Sequence, residues 1–148
     1  MTDEEKKVND LDEALEKERG EFTGKIADVI KLIGHIDKIS EAQVLMLSYR
    51  HMLVDKLTKI RGAIYRKKAN DENYRKIRYE HYKINHDVRL DYREINQFVA
   101  SDMALRTRQT ELLQSQIDYY QQCIETLDKM GFSIKNKIAV EEINMKIM

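Results

Sequence analysis

The sequence predicts a mainly α-helical protein. Its 148 residues contain no proline and only five glycines, so ring sterics interrupt no helix. Apolar residues make up 42% and charged residues 35%, which is enough for a core beneath a strongly solvated surface. In several stretches the apolar residues recur three and four positions apart, as one buried face of a helix requires.

Two helices are predicted in the first half of the chain. Ile26, Ile30 and Ile33 share one helical face, and Gly34 loosens the helix after them. Residues 40–43, Ser-Glu-Ala-Gln, have the capping-box pattern of a hydroxyl followed three residues later by Gln. The helix that this box starts has apolar residues at spacings of four, three and four: Leu53, Leu57, Ile60 and Ile64.

Residues 66–85 leave two alternatives open. Apolar spacing beyond the polar stretch 67–73 suits a helix, through Ile77, Ile84, Val88, Ile95 and Val99. Tyrosine is also a strand residue, so a short strand or hairpin near 66–85 is the alternative.

The carboxyl-terminal region has the most regular pattern. Ser101-Asp102 is predicted to start a helix, with Asp102 at the positive end of its dipole, and Gly131 to end it before Phe132 starts another. Heptad-like positions follow: Leu113, Ile117, Tyr120, Ile124, Leu127, Ile134 and Ile138. Such a row forms either a seam between copies of the chain or an ordinary intramolecular helix pair. We predict assembly into a homo-oligomer by this region.

Charge divides the chain into three predicted regions. Residues 1–24 hold nine acids and four bases and form an acidic arm, which is expected to be solvated and mobile. Residues 25–100 form a helical basic region, since residues 50–93 alone hold thirteen bases and six acids. Residues 101–148 form the helical oligomerisation region. A basic stretch within a neutral chain suggests a polyanion site.

Tyrosines interleave with the cations of this stretch. Cations bind phosphates and flat rings stack on unpaired bases, which is the chemistry of single-stranded nucleic-acid binding. The alternative is a solvated helix face with tyrosines at its boundary. The candidate DNA-binding residues are Arg66, Lys67, Lys68, Tyr74, Arg75, Lys76, Arg78, Tyr79, Tyr82 and Lys83.

Catalytic and cofactor sites are not predicted. The single cysteine, Cys123, allows no intrachain disulfide, fits a reducing cytosol and leaves no multi-cysteine zinc site. Residues 20–25 differ from a P-loop, because three residues separate the glycines and Ile26 follows Lys25. We therefore expect no enzyme, cofactor or metal, and no secretion signal or membrane span.

Three segments carry a resemblance to a known family. Residues 129–138 read Lys-Met-Gly-Phe-Ser-Ile-Lys-Asn-Lys-Ile after a long amphipathic helix, and residues 76–82 place a Lys-x-Arg before paired aromatics. Tyr49-Arg-His-Met-Leu53 lies upstream as an aromatic helical turn. Over about residues 36–140 the chain resembles the UvsY-type recombination mediators of T4-like bacteriophages.

The resemblance implies a non-enzymatic protein of the infected host's cytoplasm. Such proteins form hexameric or heptameric rings and bind single-stranded DNA. They also help a RecA-type recombinase replace the single-strand-binding protein on that DNA. Lys76 and Arg78 match the family's DNA-binding positions, and the carboxyl-terminal helices match its assembly region. The alternative function is a helical adaptor whose basic face binds another protein.

Overall fold

The structure is a computed structural model that describes residues 1–84 and 89–147. Nearly all of these residues are helical, and none of them is in a strand. The elements in chain order are α1 (Asp3–Ile33), a short 3-10 helix (Ile36–Lys38), α2 (Ile39–Ile84) and α3 (Tyr92–Ile147). The predicted mainly α class is confirmed.

Two of the helices begin with reciprocal capping boxes. At α1, the Glu5 amide donates to the Thr2 hydroxyl at 3.1 Å and the Thr2 amide donates to the Glu5 carboxylate at 3.1 Å. At α3, the Glu94 amide donates to Asp91 at 2.8 Å and the Asp91 amide donates to Glu94 at 3.5 Å. These bonds satisfy amides that have no partner within their helix, and the Glu5, Asp91 and Glu94 carboxylates lie at the positive ends of the two helix dipoles.

Three predicted boundaries are wrong. Residues 66–84 are helical, so the strand or hairpin is absent there; residue 85 and Val88 lie outside the described residues. The start at Ser101-Asp102 is wrong because α3 already begins at Tyr92. Gly131 does not end this helix, which continues past it. The second predicted helix begins at Ile39, so Ser40 lies inside its first turn and not at its N-cap as the capping-box pattern predicted.

The chain divides into two compact units. Unit 1 combines Met1–Leu15 with Lys59–Gln116, and unit 2 combines Glu16–Thr58 with Ile117–Met148. The predicted divisions after residues 24 and 100 fall inside α1 and α3. Residues 1–24 are also not the expected loose tail. They lie mostly in α1, which buries Val8, Leu15 and Phe22.

The heptad-like positions of α3 are largely used within one chain. Ile117, Tyr120, Leu127 and Ile134 are buried in unit 2, whereas Ile138 is exposed. Leu113 and Ile124 are half-buried. Side chains that are already buried cannot also form a seam between copies, so this row is intramolecular at four of its seven predicted positions. An interface between copies needs a different face.

Candidate nucleic-acid interface

The ten predicted DNA-binding residues all lie on α2 in unit 1 and divide into two groups by exposure. Five are exposed: Arg66, Lys68, Arg75, Lys76 and Lys83. Five are half-buried: Lys67, Tyr74, Arg78, Tyr79 and Tyr82. The helix therefore separates residues that are adjacent in sequence, because successive side chains turn about 100° around its axis.

The first inward contact is centred on Asp71. Its carboxylate accepts from Lys67 and, at 3.0 Å, from the Arg106 guanidinium, while Lys67 also donates to the Arg106 carbonyl at 2.7 Å. The Arg106 guanidinium lies 3.9 Å from the centre of the Tyr74 ring, a cation–π distance. Burial alone would raise the pKa of Asp71, but the hydrogen bonds from Lys67 and Arg106 lower it below its ordinary value. Lys67 and Tyr74 thus hold α2 to α3.

The second inward contact lies near the end of α2. Arg78 donates to Asp102 at 2.8 Å, Tyr82 donates to the same carboxylate at 2.7 Å, and Tyr82 stacks on Phe98 at 5.3 Å between ring centres. Burial would raise the pKa of Asp102, but the bonds from Tyr82 and Arg78 lower it. Hydrogen bonds to Tyr82 and Asp102 raise the pKa of Arg78. Arg78 is therefore less available to DNA than the exposed cations, since its charge is already paired with Asp102, and its DNA-binding role stays a prediction.

The inward tyrosines also cover an apolar cluster. Tyr74, Tyr79 and Tyr82 pack against the buried side chains Ile95, Val99 and Met103. Rings held in this way present an edge and a hydroxyl rather than an open face. Because this packing covers part of each ring, Tyr74, Tyr79 and Tyr82 are less available for stacking on bases than a fully exposed ring, and their DNA-binding role stays a prediction.

The exposed face of α2 carries what we call the basic strip: Arg61, Tyr65, Lys68, Lys76 and Lys83. All five are exposed, and their spacings of four, three, eight and seven place them along one side of the helix, which also carries the exposed acid Glu72 midway between Lys68 and Lys76. The strip is about 33 Å long, at 1.5 Å per residue. Arg75 lies at its edge with Glu72 3.9 Å away.

Two exposed rings accompany these cations. Tyr65 is 80% exposed, and Tyr92 is exposed beside Tyr79, with 6.4 Å between the ring centres. Arg61, Tyr65 and Tyr92 were absent from the predicted site. Helical spacing from Lys68 would have found the first two, whereas Tyr92 comes from another helix.

The remaining chemistry of the described residues is limited. No group of three or more His, Cys, Asp or Glu side chains that could hold a metal ion is found in residues 1–84 and 89–147. In the same residues, no helix is long and apolar enough to cross a membrane. Cys123 is buried, and burial raises the pKa of its thiol, which disfavours the reactive thiolate.

Comparison with known proteins gives no assignment: no protein-family model, no curated protein and no solved structure matches the chain.

Proposed function

We propose that this protein is a non-catalytic, single-stranded DNA-binding recombination mediator that works as a homo-oligomer. In this role it helps a RecA-type phage recombinase to load onto DNA covered by single-strand-binding protein, in the cytoplasm of the infected bacterium. The basic strip is the observation that carries the proposal. The resemblance to UvsY-type mediators supplies the recombinase, the single-strand-binding protein and the host.

The strip suits an unpaired strand better than a duplex groove. Its cations recur along one side of a continuous helix, with the acid Glu72 among them, so they can meet phosphates spaced along an extended strand. The exposed rings of Tyr65 and Tyr92 offer faces for unstacked bases, and such stacking tolerates any sequence. The inward ion pairs hold the helix that displays these side chains.

One copy of the strip offers few cations. Counterions compete for the same phosphates, so a single protomer binds weakly and loses affinity with salt. Several copies around an oligomer would act on one strand at high effective concentration, which raises avidity without new contacts. Homo-oligomerisation is therefore part of the proposal.

Fluorescence anisotropy with labelled oligothymidylate at several salt concentrations tests the DNA contacts. The test variant replaces Lys68, Lys76 and Lys83 with Ala. The matched control removes three exposed lysines elsewhere, Lys7, Lys31 and Lys38. We expect the test variant to bind more weakly, with a salt slope reduced by about 0.7 for each phosphate that is no longer neutralised.

The control makes the result decisive, because both variants lose the same charge. Equal weakening by the two variants would show non-specific attraction and contradict the assignment to the strip. No binding of oligothymidylate by the unmodified protein in dilute buffer, together with binding to an acidic protein, would favour the adaptor function instead.

A further inference from the structure

Unit 2 contains an open apolar groove between the first half of α2 and the later part of α3. Its volume is about 740 Å³, and its open apolar surface is formed by Leu47 and Phe132 above Met46, Leu127 and Ile134, which are already buried within the chain. Leu47 is 71% exposed and Phe132 67% exposed. Gly131 also lines the groove. A Cβ added at this position would approach no atom more closely than the Met46 methyl, at 3.8 Å, so the space beside Gly131 is open. The groove is therefore an apolar surface left open to water.

The last turns of α3 form a second uncovered apolar surface, which we call the tail (residues 138–147). Beyond Ile134 no described residue is buried, and the last bond to another element is from Lys137 to the Ile33 carbonyl at 2.9 Å. The exposed apolar side chains of the tail are Ile138, Val140, Ile143, Met145 and Ile147. Val140, Ile143 and Ile147 share one helical face by their spacing.

The tail of a chain cannot fill the groove of the same chain. Residues 127–135 of α3 line the groove, and the tail continues that helix without a break. Each residue advances about 1.5 Å along the axis, so the tail leads away from the groove. Two apolar surfaces on one helix that cannot meet within a chain can meet between chains.

The charges around the two surfaces are complementary. Of the charged residues that line the groove, Arg50 and Asp128 pair with each other at 2.9 Å, so Lys135 alone gives the rim its net positive charge. The tail carries Glu141, Glu142 and one base, Lys146, which makes it net negative. Opposite charges around an apolar centre guide pairing and fix orientation.

We propose that the tail of one copy packs into the groove of a second copy, as an amphipathic helix in a hydrophobic groove. Each copy offers one tail and one groove, so the contact is heterologous and repeats from copy to copy until the rotation closes a ring. The proposal rests on the homo-oligomer of the proposed function and uses none of its DNA contacts.

Sedimentation velocity tests the contact on the full chain. Leu47→Glu places a charge in the groove, and the double substitution Ile143→Glu/Ile147→Glu places charges on the tail. Ser48→Glu and Asn144→Glu are controls at exposed neighbouring positions. Loss of a central apolar anchor weakens an interface by about thirtyfold or more, so we expect each test variant to dissociate and each control to assemble normally.

Mixing the two defective variants gives the sharpest result. The groove variant keeps a sound tail and the tail variant keeps a sound groove, so the mixture should form a one-to-one dimer and no larger species. A mixture that stays monomeric, or a test variant that assembles like the unmodified protein, would overturn the proposal. A monomeric unmodified protein at working concentrations would also overturn it.

Circular dichroism of each variant shows whether the chain has folded. If a glutamate variant loses helicity, Leu47→Ala and Ile143→Ala/Ile147→Ala take its place in the same mixing design, with the same outcomes. Oligothymidylate binding is measured on every sample. Normal assembly without DNA binding would refute the proposed function and leave the tail contact standing.

Discussion

The inward and outward faces of the second half of α2 carry the same residue types. The inward cations pair with carboxylates of the fold, whereas the outward cations are exposed to water. Lys67 and Lys68 are neighbours in sequence, yet Lys67 is held by Asp71 and Lys68 is exposed to water. Arg78 is paired with Asp102, whereas Lys76, two residues earlier, is exposed. Position around the helix, rather than composition, therefore decides which cations stabilise the fold and which remain available to a ligand.

The largest effect should come from the centre of the inward face. Asp71→Ala leaves the cations of Lys67 and Arg106 in a partly buried place without their carboxylate, which should lower the free energy of unfolding by about 2 kcal/mol. Urea denaturation measures the loss. Glu72→Ala is the outward control and should change stability by less than about 0.5 kcal/mol. Equal losses of unfolding free energy in the two variants would show that the inward and outward faces contribute equally to stability, which would contradict the comparison.

A ring on the outward face should matter for DNA and not for folding. Tyr65→Ala should weaken oligothymidylate binding by about tenfold, because stacking on one base contributes about 1–3 kcal/mol. The melting temperature should not change, since the side chain is exposed. Tyr65→Phe keeps the ring and should bind normally. An affinity loss in Tyr65→Phe as large as in Tyr65→Ala would exclude stacking as the cause.

Two nearby cations should give opposite results. Lys76→Ala should reduce the salt slope of DNA binding by about 0.7 and leave thermal unfolding unchanged. Arg78→Ala should lower the melting temperature, because Asp102 loses its cationic partner and keeps only the Tyr82 hydroxyl, and should leave the salt slope unchanged. Thermal melts and salt titrations of both variants measure the contrast. The reverse pattern would mean that the faces have been assigned the wrong way round.

The smallest effect should be a pH dependence at Asp102. Its pKa is lowered in the folded protein, so its stabilisation is complete above its unfolded pKa of about 3.9 and is lost as the pH falls through the folded value. Asp102→Asn should therefore be less stable than the unmodified protein at pH 7, by up to about 1 kcal/mol. The difference should shrink below about pH 4 in urea melts. A constant difference would show that ionisation is not the cause.

The sequence predicted the helical class well because its signal is local. Spacings such as Leu53, Leu57 and Ile64 mark the buried face of α2 without knowledge of any partner helix, and all three are buried. The start of α3 could also have been predicted from the sequence. Asp91 and Glu94 have the three-residue spacing of a capping box, but Ser101-Asp102 offered a competing start.

The sequence alone could not show which side chains of the basic region face inward and which face outward. Residues 67–73 contain only one apolar residue, Ala69, so no periodicity marks their inward side. That side is set by Asp71 and Arg106, which are 35 residues apart in sequence. Tyrosine is ambiguous as well, because the same ring serves as a core edge at Tyr74 and as an exposed face at Tyr65.

Because the tail of α3 is not covered by other described parts of the chain, its backbone amides should be poorly protected from exchange with solvent. Short helical segments without tertiary packing are marginal in water, so the amide protons of residues 138–147 should exchange with deuterium much faster than those around Ile134. Exchange should become progressively faster towards the end of the helix. If another surface covers residues 138–147, amide exchange should become slower along the whole segment. Exchange rates measured residue by residue along α3 would therefore show what fraction of these ends is covered at a given protein concentration.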